Sequence, residues 1–371
     1  MSRCAQSRRV LFIEPPLFDA LSPHVEAIEV CPNLIRVVPH QIDDGSTAAM
    51  QDSITATLVR ALCAQRNVQD AVHWFYTPMM LPIAEGLPHG LTVYDCMDEL
   101  ASFAGAPPAL RERERALLAR ADLVFTGGMA LYEAKRAQHP NVHGVPSSVD
   151  VTFFARARER RADPADQRDI PHPRVGYAGV IDERIDVGLL TEVAQNRPDL
   201  HFVMLGPVVK IDPALLPRAA NIHYVGQKSY HDLPAYMAGW DVAMMPFARN
   251  EATRFISPTK TPEYLAAGRR VVSTSIRDVV EPYGRMGLVR IADEAREFSA
   301  QLDHALADDG ARDASRDAFL STNSWDETWA RMDGLMRAAR DTRSAHAGAA
   351  ASRKEHACTT ISSSEQDSPA A

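Results

Sequence analysis

The feature that most constrains this chain is an alternation. Short apolar, β-rich runs recur along most of its length, each separated from the next by a helix-like segment. One series lies at 9–13, 34–38, 71–76, 91–95 and 123–126. A second lies at 174–178, 201–205, 222–225, 241–245, 270–273 and 288–291. Runs of this kind, spaced by helices, read as parallel strands covered on both faces. The segment 110–121 shows the helical partner. Leu110, Leu117, Leu118 and Ala121 share one face, and the alternating charges from Arg111 to Arg115 read as its solvated side. The expected fold class is therefore α/β, with two doubly wound domains and a cleft at the carboxyl ends of their strands.

Between the two series lies a stretch rich in Arg, Asp and Pro, read as a linker over 156–173 by its composition. The expected division is an N-terminal domain at 1–155, this linker, and a C-terminal domain at 174–320. From about Asp341 the chain turns to Ala, Ser, Thr and charged residues, so 341–371 is expected to be a disordered tail. A doubly wound domain normally opens with a strand, a turn and a helix. Here Met1–Ser7 reads as the last turn of a helix leading into the strand at 9–13. The first strand of the N-terminal domain, and most of its helix, are thus expected to be missing.

Charge excludes one class of function. The net charge is −8, and neither half is basic: 12 basic face 17 acidic residues up to Asp150, and 28 face 31 beyond it. A nucleic-acid platform is not expected. The cysteines, at 4, 31, 63, 96 and 358, form no CxxC pair, and their odd number argues against a disulfide framework. His73, His139, His143, His223 and His231 share no ligand spacing, so no metal is expected. The apolar run Val10–Ile13 is shorter than the roughly 7–15 residues of a signal-peptide core. No stretch approaches the roughly 18 apolar residues of a membrane span. A reducing cytoplasm is the expected setting, with peripheral contact at the inner face of a membrane left open.

The segment 255–274, FISPTKTPEYLAAGRRVVST, carries the most chemistry. Proline is tolerated only in the first turn of a helix. Pro262 therefore sets a helix start no earlier than about Thr259, with Glu263 in or beside the first turn. The free amides and positive dipole end of that helix suit a diphosphate. A carboxylate nearby can accept two ribose hydroxyls. Gly268 then ends the helix.

This segment resembles the nucleotide-binding signature of GT-B fold glycosyltransferases, near the retaining group called glycosyltransferase family four. Members commonly carry two glutamates separated by seven residues, then an A-x-G-x-P-V-like run. Glu263 matches the second glutamate and Ala266 to Val272 the run, while Phe255 stands at the first. Subgroups with a P-x-K-x-x-E-Y-x-A-x-G pattern share that departure, and Pro258, Lys260, Glu263, Tyr264, Ala266 and Gly268 match it. Two more segments resemble the family: VGYAGVIDERID at 175–186, its first donor-domain strand and glycine turn, and VPSSVDVTFF at 145–154, its interdomain crossing. SWDETW at 324–329 is similar to the tryptophan-bearing helix, here 321–340, that crosses back to the N-terminal domain.

The resemblance implies two Rossmann-like domains and a donor site of Gly179, Arg184, Ser257, Thr259, Lys260 and Glu263. Arg184 is the nearest match to a basic residue that contacts the diphosphate, with a salt bridge to Asp182 or Asp186 as its rival role. In the first half, YDCMDE ends a strand at the cleft. Asp95 and Asp98 are the candidate catalytic carboxylates, with Glu99 beside them; the alternative is a helix N-terminus with acidic residues favoured by its dipole. Gly127-Gly128 reads first as a structural turn and only weakly as a phosphate contact.

The function implied is transfer of a sugar, with retention, from a nucleotide-diphosphate sugar to a polysaccharide, glycolipid or small-molecule acceptor. No cofactor or metal is expected beyond the nucleotide-sugar donor. A uridine nucleotide and a carbohydrate or lipid-linked acceptor of the cell surface are the family-level expectations. Two alternatives stay open: a catalytically impaired nucleotide-sugar-binding protein on the same scaffold, motivated by Phe255 and the missing strand, and a nucleotide-sugar epimerase.

Overall fold

The computed structural model describes residues 1–103, 105–159 and 162–362, with side chains as far as residue 345. The chain forms two units. One comprises Met1–Asp95, Glu112–Val124 and Trp329–Ala371; the other comprises Cys96–Arg111 and Phe125–Thr328.

In the first unit, β1 (Val10–Ile13), β2 (His24–Cys31) and β3 (Leu34–His40) form a sheet in the order β1-β3-β2. β1 runs parallel to β3, with Val10 opposite Leu34. β2 is antiparallel, with His24 opposite His40, so this sheet departs from the purely parallel expectation. Asn33, at φ 67°, makes the tight turn between the paired strands. β2 escapes a reading by apolar runs because Glu26 and Glu29 interrupt it and only Val25 and Cys31 are even half-buried. The hydrogen-bond ladder holds it, not a buried face. β4 (Ala71–Phe75) and β5 (His89–Cys96) pair in parallel, Trp74 opposite Val93. The helix Ala48–Gln65 packs Val59 and Cys63 with Ile83, Leu11 and Ile13.

The tail expectation is corrected over most of its length. A helix runs from Trp325 to Ser362. The alanine-rich run after Ser344 lacks apolar bulk but has high helix propensity, and the composition argument weighed only the first. Arg340 and Arg343 also tie the helix down, to Asp70 and Asp122, each at 2.6 Å. Residues 363–371 lie outside the described part.

β6 (Leu123–Thr126), buried throughout, begins in the first unit and ends in the second, where β7 (Val142–Gly144) follows the helix Met129–Lys135. Then come β8 (Arg174–Ala178), β9 (His201–Leu205), β10 (Ile222–Gly226), β11 (Val242–Met245), β12 (Arg270–Ser273) and β13 (Val289–Ile291). They form a six-stranded sheet in the order β10-β9-β8-β11-β12-β13. Every pairing is parallel. The chain winds outward from β8 to one side, then from β11 to the other. The order thus reverses between β8 and β11, and a crevice opens beyond their carboxyl ends. Helices Val187–Asn196 and Ala295–Leu306 cover the sheet, burying Leu189, Leu190, Val193, Phe298 and Leu302.

The segment read as a linker is packed where it is described. Ile170 and Gln167 are buried. Gln167 donates to the Tyr236 carbonyl and accepts from the Trp240 indole, both at 3.0 Å. Arg174 Nη1 reaches Asp163 at 2.7 Å. Polar residues here do their packing through hydrogen bonds, which a count of apolar residues does not register.

Candidate functional site

β8 ends at Ala178, and its successor Gly179 takes φ +152°, a left-handed conformation that side chains rarely adopt. A Cβ there would lie 2.1 Å from Lys260 Cε. The glycine is thus required twice, to turn the chain and to let Lys260 cross it. After the turn, residues 181–186 are pinned from both sides. Ile181 N donates to the Pro207 carbonyl at 2.9 Å, and Asp186 N to the Pro246 carbonyl at 2.8 Å. Ala248 N donates to the Arg184 carbonyl at 2.8 Å. Asp186 caps the following helix by accepting from Leu189 N at 2.8 Å.

This frame holds Arg184 in one place. Its Nη2 lies 2.7 Å from Asp182 Oδ2 and its Nε 2.9 Å from Oδ1. The rival role, a salt bridge with Asp182, is therefore present, and the hydrogen-bonded carboxylate holds the guanidinium above its ordinary pKa range. A clamped arginine still presents donors along its outer edge.

Lys260 opens the helix Lys260–Ala266, which Thr259 precedes without a side-chain cap. The start agrees with the position that Pro262 dictates. At the other end Gly268, at φ +77°, donates to the Leu265 carbonyl at 3.0 Å, and Arg269 N to the Tyr264 carbonyl at 2.9 Å. These bonds satisfy the last carbonyls in the manner of a Schellman motif. Tyr264 is fully buried, and its hydroxyl both accepts from Ala178 N at 2.7 Å and donates to the Ala178 carbonyl at 3.2 Å. The helix is thereby locked to the end of β8, which sets Lys260 over Gly179.

Lys260 Nζ sits 5.5 Å from the Tyr177 ring centre and 5.8 Å from that of Phe247. Rings attract the cation, but it has no hydrogen-bond or ion-pair partner among the described residues. Burial, then the charge of Arg184, push the ammonium below its ordinary range, with Glu263 and Asp182 opposing. Glu263 is likewise without such a partner, and burial pushes it up to about 7 against the pull of Lys260. Asp98, also half-buried, is raised by burial, with Arg184 opposing. Arg184 therefore lies within electrostatic reach of both Asp98 and Lys260.

The other sequence candidates fall out differently. Ser257 and Thr259 lie in the loop leading to the helix, and Thr259 is exposed. Glu99 is committed to an ion pair with buried Lys135 at 2.8 Å. Asp95 belongs to the first unit, on β5. Its carboxylate accepts from the Trp74 indole at 3.1 Å, and burial pushes it up to about 7. The Gly127-Gly128 turn is occupied from within: Asp278 accepts from Met129 N at 2.8 Å and from Ala130 N at 2.9 Å. Among the described residues no group of three or more His, Cys, Asp or Glu is placed to hold a metal ion.

Sequence reasoning assigned no role to Tyr264, Tyr177 or Phe247, which position and enclose Lys260. Tyr264 had a signal, because it stands inside the matched P-x-K-x-x-E-Y pattern. Tyr177 and Phe247 had none beyond lying at or just past strand ends. Glu183, between Asp182 and Arg184, was also passed over, and its Oε2 is buried without a partner.

Residues 172–308 match the family of group 1 glycosyl transferases. This segment is similar to a group 1 glycosyl transferase domain. It contains every residue of the Gly179–Arg184–Lys260–Glu263 cluster, whereas Asp95 and Asp98 lie outside it. The chain is similar to the putative teichuronic acid biosynthesis glycosyltransferase TuaH of Bacillus subtilis (strain 168), at 25% identity over 57% of each chain. It thus spans little more than half the length of that curated relative. Its fold resembles that of sucrose-phosphate synthase from Thermosynechococcus elongatus, with TM-score 0.65 and 16% identity over 91% of this chain and 90% of that one. The structure of trehalose-6-phosphate from E. coli bound with UDP-2-fluoro glucose gives TM-score 0.64 and 12% identity, covering 90% and 94%. A glycosyltransferase from Rickettsia africae ESF-5 gives 0.61 and 13%, covering 81% and 85%. The shared fold bears out the GT-B reading of the α/β pattern.

Proposed function

We propose that the protein is a glycosyltransferase that takes its sugar from a nucleotide-diphosphate sugar. The observation that carries this reading is Lys260, a half-buried cation with no hydrogen-bond or ion-pair partner among the described residues, held over a glycine turn beside Arg184 and Glu263. A diphosphate would bring the missing counter-charge. Arg184 and Lys260 would stabilise the negative charge that builds on the leaving diphosphate as the sugar departs. In this account protein cations alone supply that charge. Glu263, ionised above about pH 7, would accept the ribose hydroxyls.

The finer features are part of the same proposal. Transfer proceeds with retention at the anomeric carbon, and Asp95 and Asp98 serve the acceptor side. Residues 1–155 take the acceptor and 174–320 the donor. The likeness to a putative teichuronic acid biosynthesis glycosyltransferase supports a polysaccharide acceptor of the cell surface; a lipid-linked precursor and a uridine nucleotide as carrier complete the proposal. No helix among the described residues is long and apolar enough to cross a membrane. We place the work at the cytoplasmic face, in peripheral contact with a membrane.

Thermal unfolding against a panel of nucleotide sugars tests the donor assignment. A ligand at about a hundred times its Kd adds roughly 2.7 kcal/mol and raises the midpoint by several degrees. The expected result is a shift with one nucleotide sugar, lost in Glu263→Ala. A cooperatively unfolding protein that responds to none of them would overturn the assignment. The position of the family's first glutamate holds Phe255, its ring stacked under Arg254 at 5.0 Å. This favours a second reading, a binding protein without transfer activity. Donor binding with no release of nucleotide diphosphate across acceptors would select it.

A further inference from the structure

The six-stranded sheet has a second charged end. Where β12 and β13 begin, opposite the edge that bears Gly179, a shallow, solvent-open pocket with a cavity volume of about 20 Å³ is lined by Arg269, Arg270, Arg290, Arg312 and Arg316. Only two carboxylates, Asp308 and Asp313, share the lining, which leaves an excess of three positive charges.

The carboxylates are fully used. Asp308 holds Arg270 at 3.1 Å and Arg290 at 3.2 Å. Asp313 holds Arg270 and Arg316, both at 2.9 Å. Arg316, although buried, has Asp317 outside the pocket at 3.0 Å. The remaining two arginines meet no carboxylate among the described residues. Arg269 donates to the carbonyls of Trp240 at 2.5 Å and Ala267 at 3.2 Å. Arg312 donates to the Met286 carbonyl at 3.0 Å. Burial pushes Arg269 below its ordinary range; Asp241 opposes this, while Arg270, Arg316 and Arg158 add to it. Guanidiniums gathered with too few acids repel one another, and their planar forks match phosphate oxygens in pairs.

We infer that this pocket binds a small phosphate-bearing anion. It stands apart from the cluster around Lys260, at the opposite end of the helix Lys260–Ala266. The two sites are about 10 Å apart along that helix, at 1.5 Å per residue. The phosphate supplies the charge that Asp308 and Asp313 leave unmet, with Arg269 and Arg312, which meet only carbonyls among the described residues, as its partners. The inference stands whether or not the donor reading does.

Isothermal titration calorimetry at constant ionic strength and neutral pH tests it, with inorganic phosphate in one arm and glucose 1-phosphate in the other. The expected result is binding of equal strength in the wild type and in Lys260→Met. Arg312→Gln should weaken it about tenfold, the loss of one charge-assisted contact, and Arg269→Gln with Arg312→Gln should abolish it. Stronger binding of the ester would identify a phosphorylated metabolite, and equal binding would identify phosphate itself. Arg312 is exposed, so its variant folds and decides the matter alone if the double variant does not. No heat in either arm would overturn the inference. So would binding that survives in Arg312→Gln and disappears in Lys260→Met.

Discussion

The two ends of β8 each carry a cation, one buried and one half-buried, and they are opposites. At its start Arg174 is 2% exposed and fully engaged. Its Nε donates to the Ile170 carbonyl at 2.7 Å, Nη1 reaches Asp163 at 2.7 Å and the Gly239 carbonyl at 3.3 Å, and Nη2 donates to the Arg168 carbonyl at 3.2 Å. At its finish Lys260, crossing Gly179, has rings around it and no hydrogen-bond or ion-pair partner among the described residues. Charge taken out of water is expensive unless paired and hydrogen-bonded. A cation that meets the condition holds the fold together. One without a partner suits the proposed donor diphosphate, and on that proposal the contrast marks the functional end of the sheet.

The contrast can be broken most forcefully at the satisfied end. Arg174→Met strands Asp163 and three carbonyls, and should destabilise the protein by about 3–5 kcal/mol. Urea unfolding measures this directly. A loss below about 1 kcal/mol would show that the network is ornamental and that pairing does not distinguish the two ends.

At the functional end the sign should reverse. Burial raises Glu263 from 4.5 to about 7, so the folded protein binds a proton there that the unfolded chain has already lost. Stability linked to that proton is full below the unfolded pKa and disappears as pH rises through about 7. Asp95 is raised to about the same value and adds a slope of the same direction. Glu263→Gln should therefore leave stability near pH 4 unchanged and increase it by up to about 3 kcal/mol at pH 8. It should also lower donor affinity above pH 7, where the wild-type carboxylate is ionised. Paired unfolding curves at the two pH values check the first statement, and a gain that is equal at both would remove Glu263 as its source.

A smaller effect sharpens the link between fold and site. Tyr264→Phe leaves the buried Ala178 amide without its acceptor and should lose about 1 kcal/mol. It should also loosen Lys260 over Gly179, so that donor affinity falls while the unfolding transition stays cooperative. An unchanged affinity would separate the lock from the site.

How much of this was legible in the sequence differs by physical cause. Strands such as β8 and β12 are continuous apolar runs because helices cover both faces, and each was located within a residue. β2 was missed because it has little buried face at all, only a ladder to β3. The segment 156–173 and the helix beyond Asp341 were misjudged for a related reason. Hydrogen-bonded polar packing, as at Gln167, and alanine-driven helicity leave little trace in a count of apolar residues. At the site, Pro262 located the helix start and Gly268 its end, because backbone restrictions are written in single residues. The clamp of Asp182 on Arg184 was weighed from their spacing. The solitude of Lys260 could not be, because whether a charge has a partner depends on every segment that folds around it. The use of Asp278 to fill the Gly127-Gly128 turn, from about 150 residues away, was hidden for the same reason.

The central claim is that Lys260 is unpaired because a diphosphate completes it. Calorimetric titration of the wild type and Lys260→Met with the nucleotide sugar found by thermal shift tests it most directly, with urea unfolding of both proteins alongside. The account predicts that the variant is as stable as the wild type or more so, while its donor affinity falls about 10–100-fold. A variant that binds the donor as tightly as the wild type, or that loses stability in step with affinity, would contradict it.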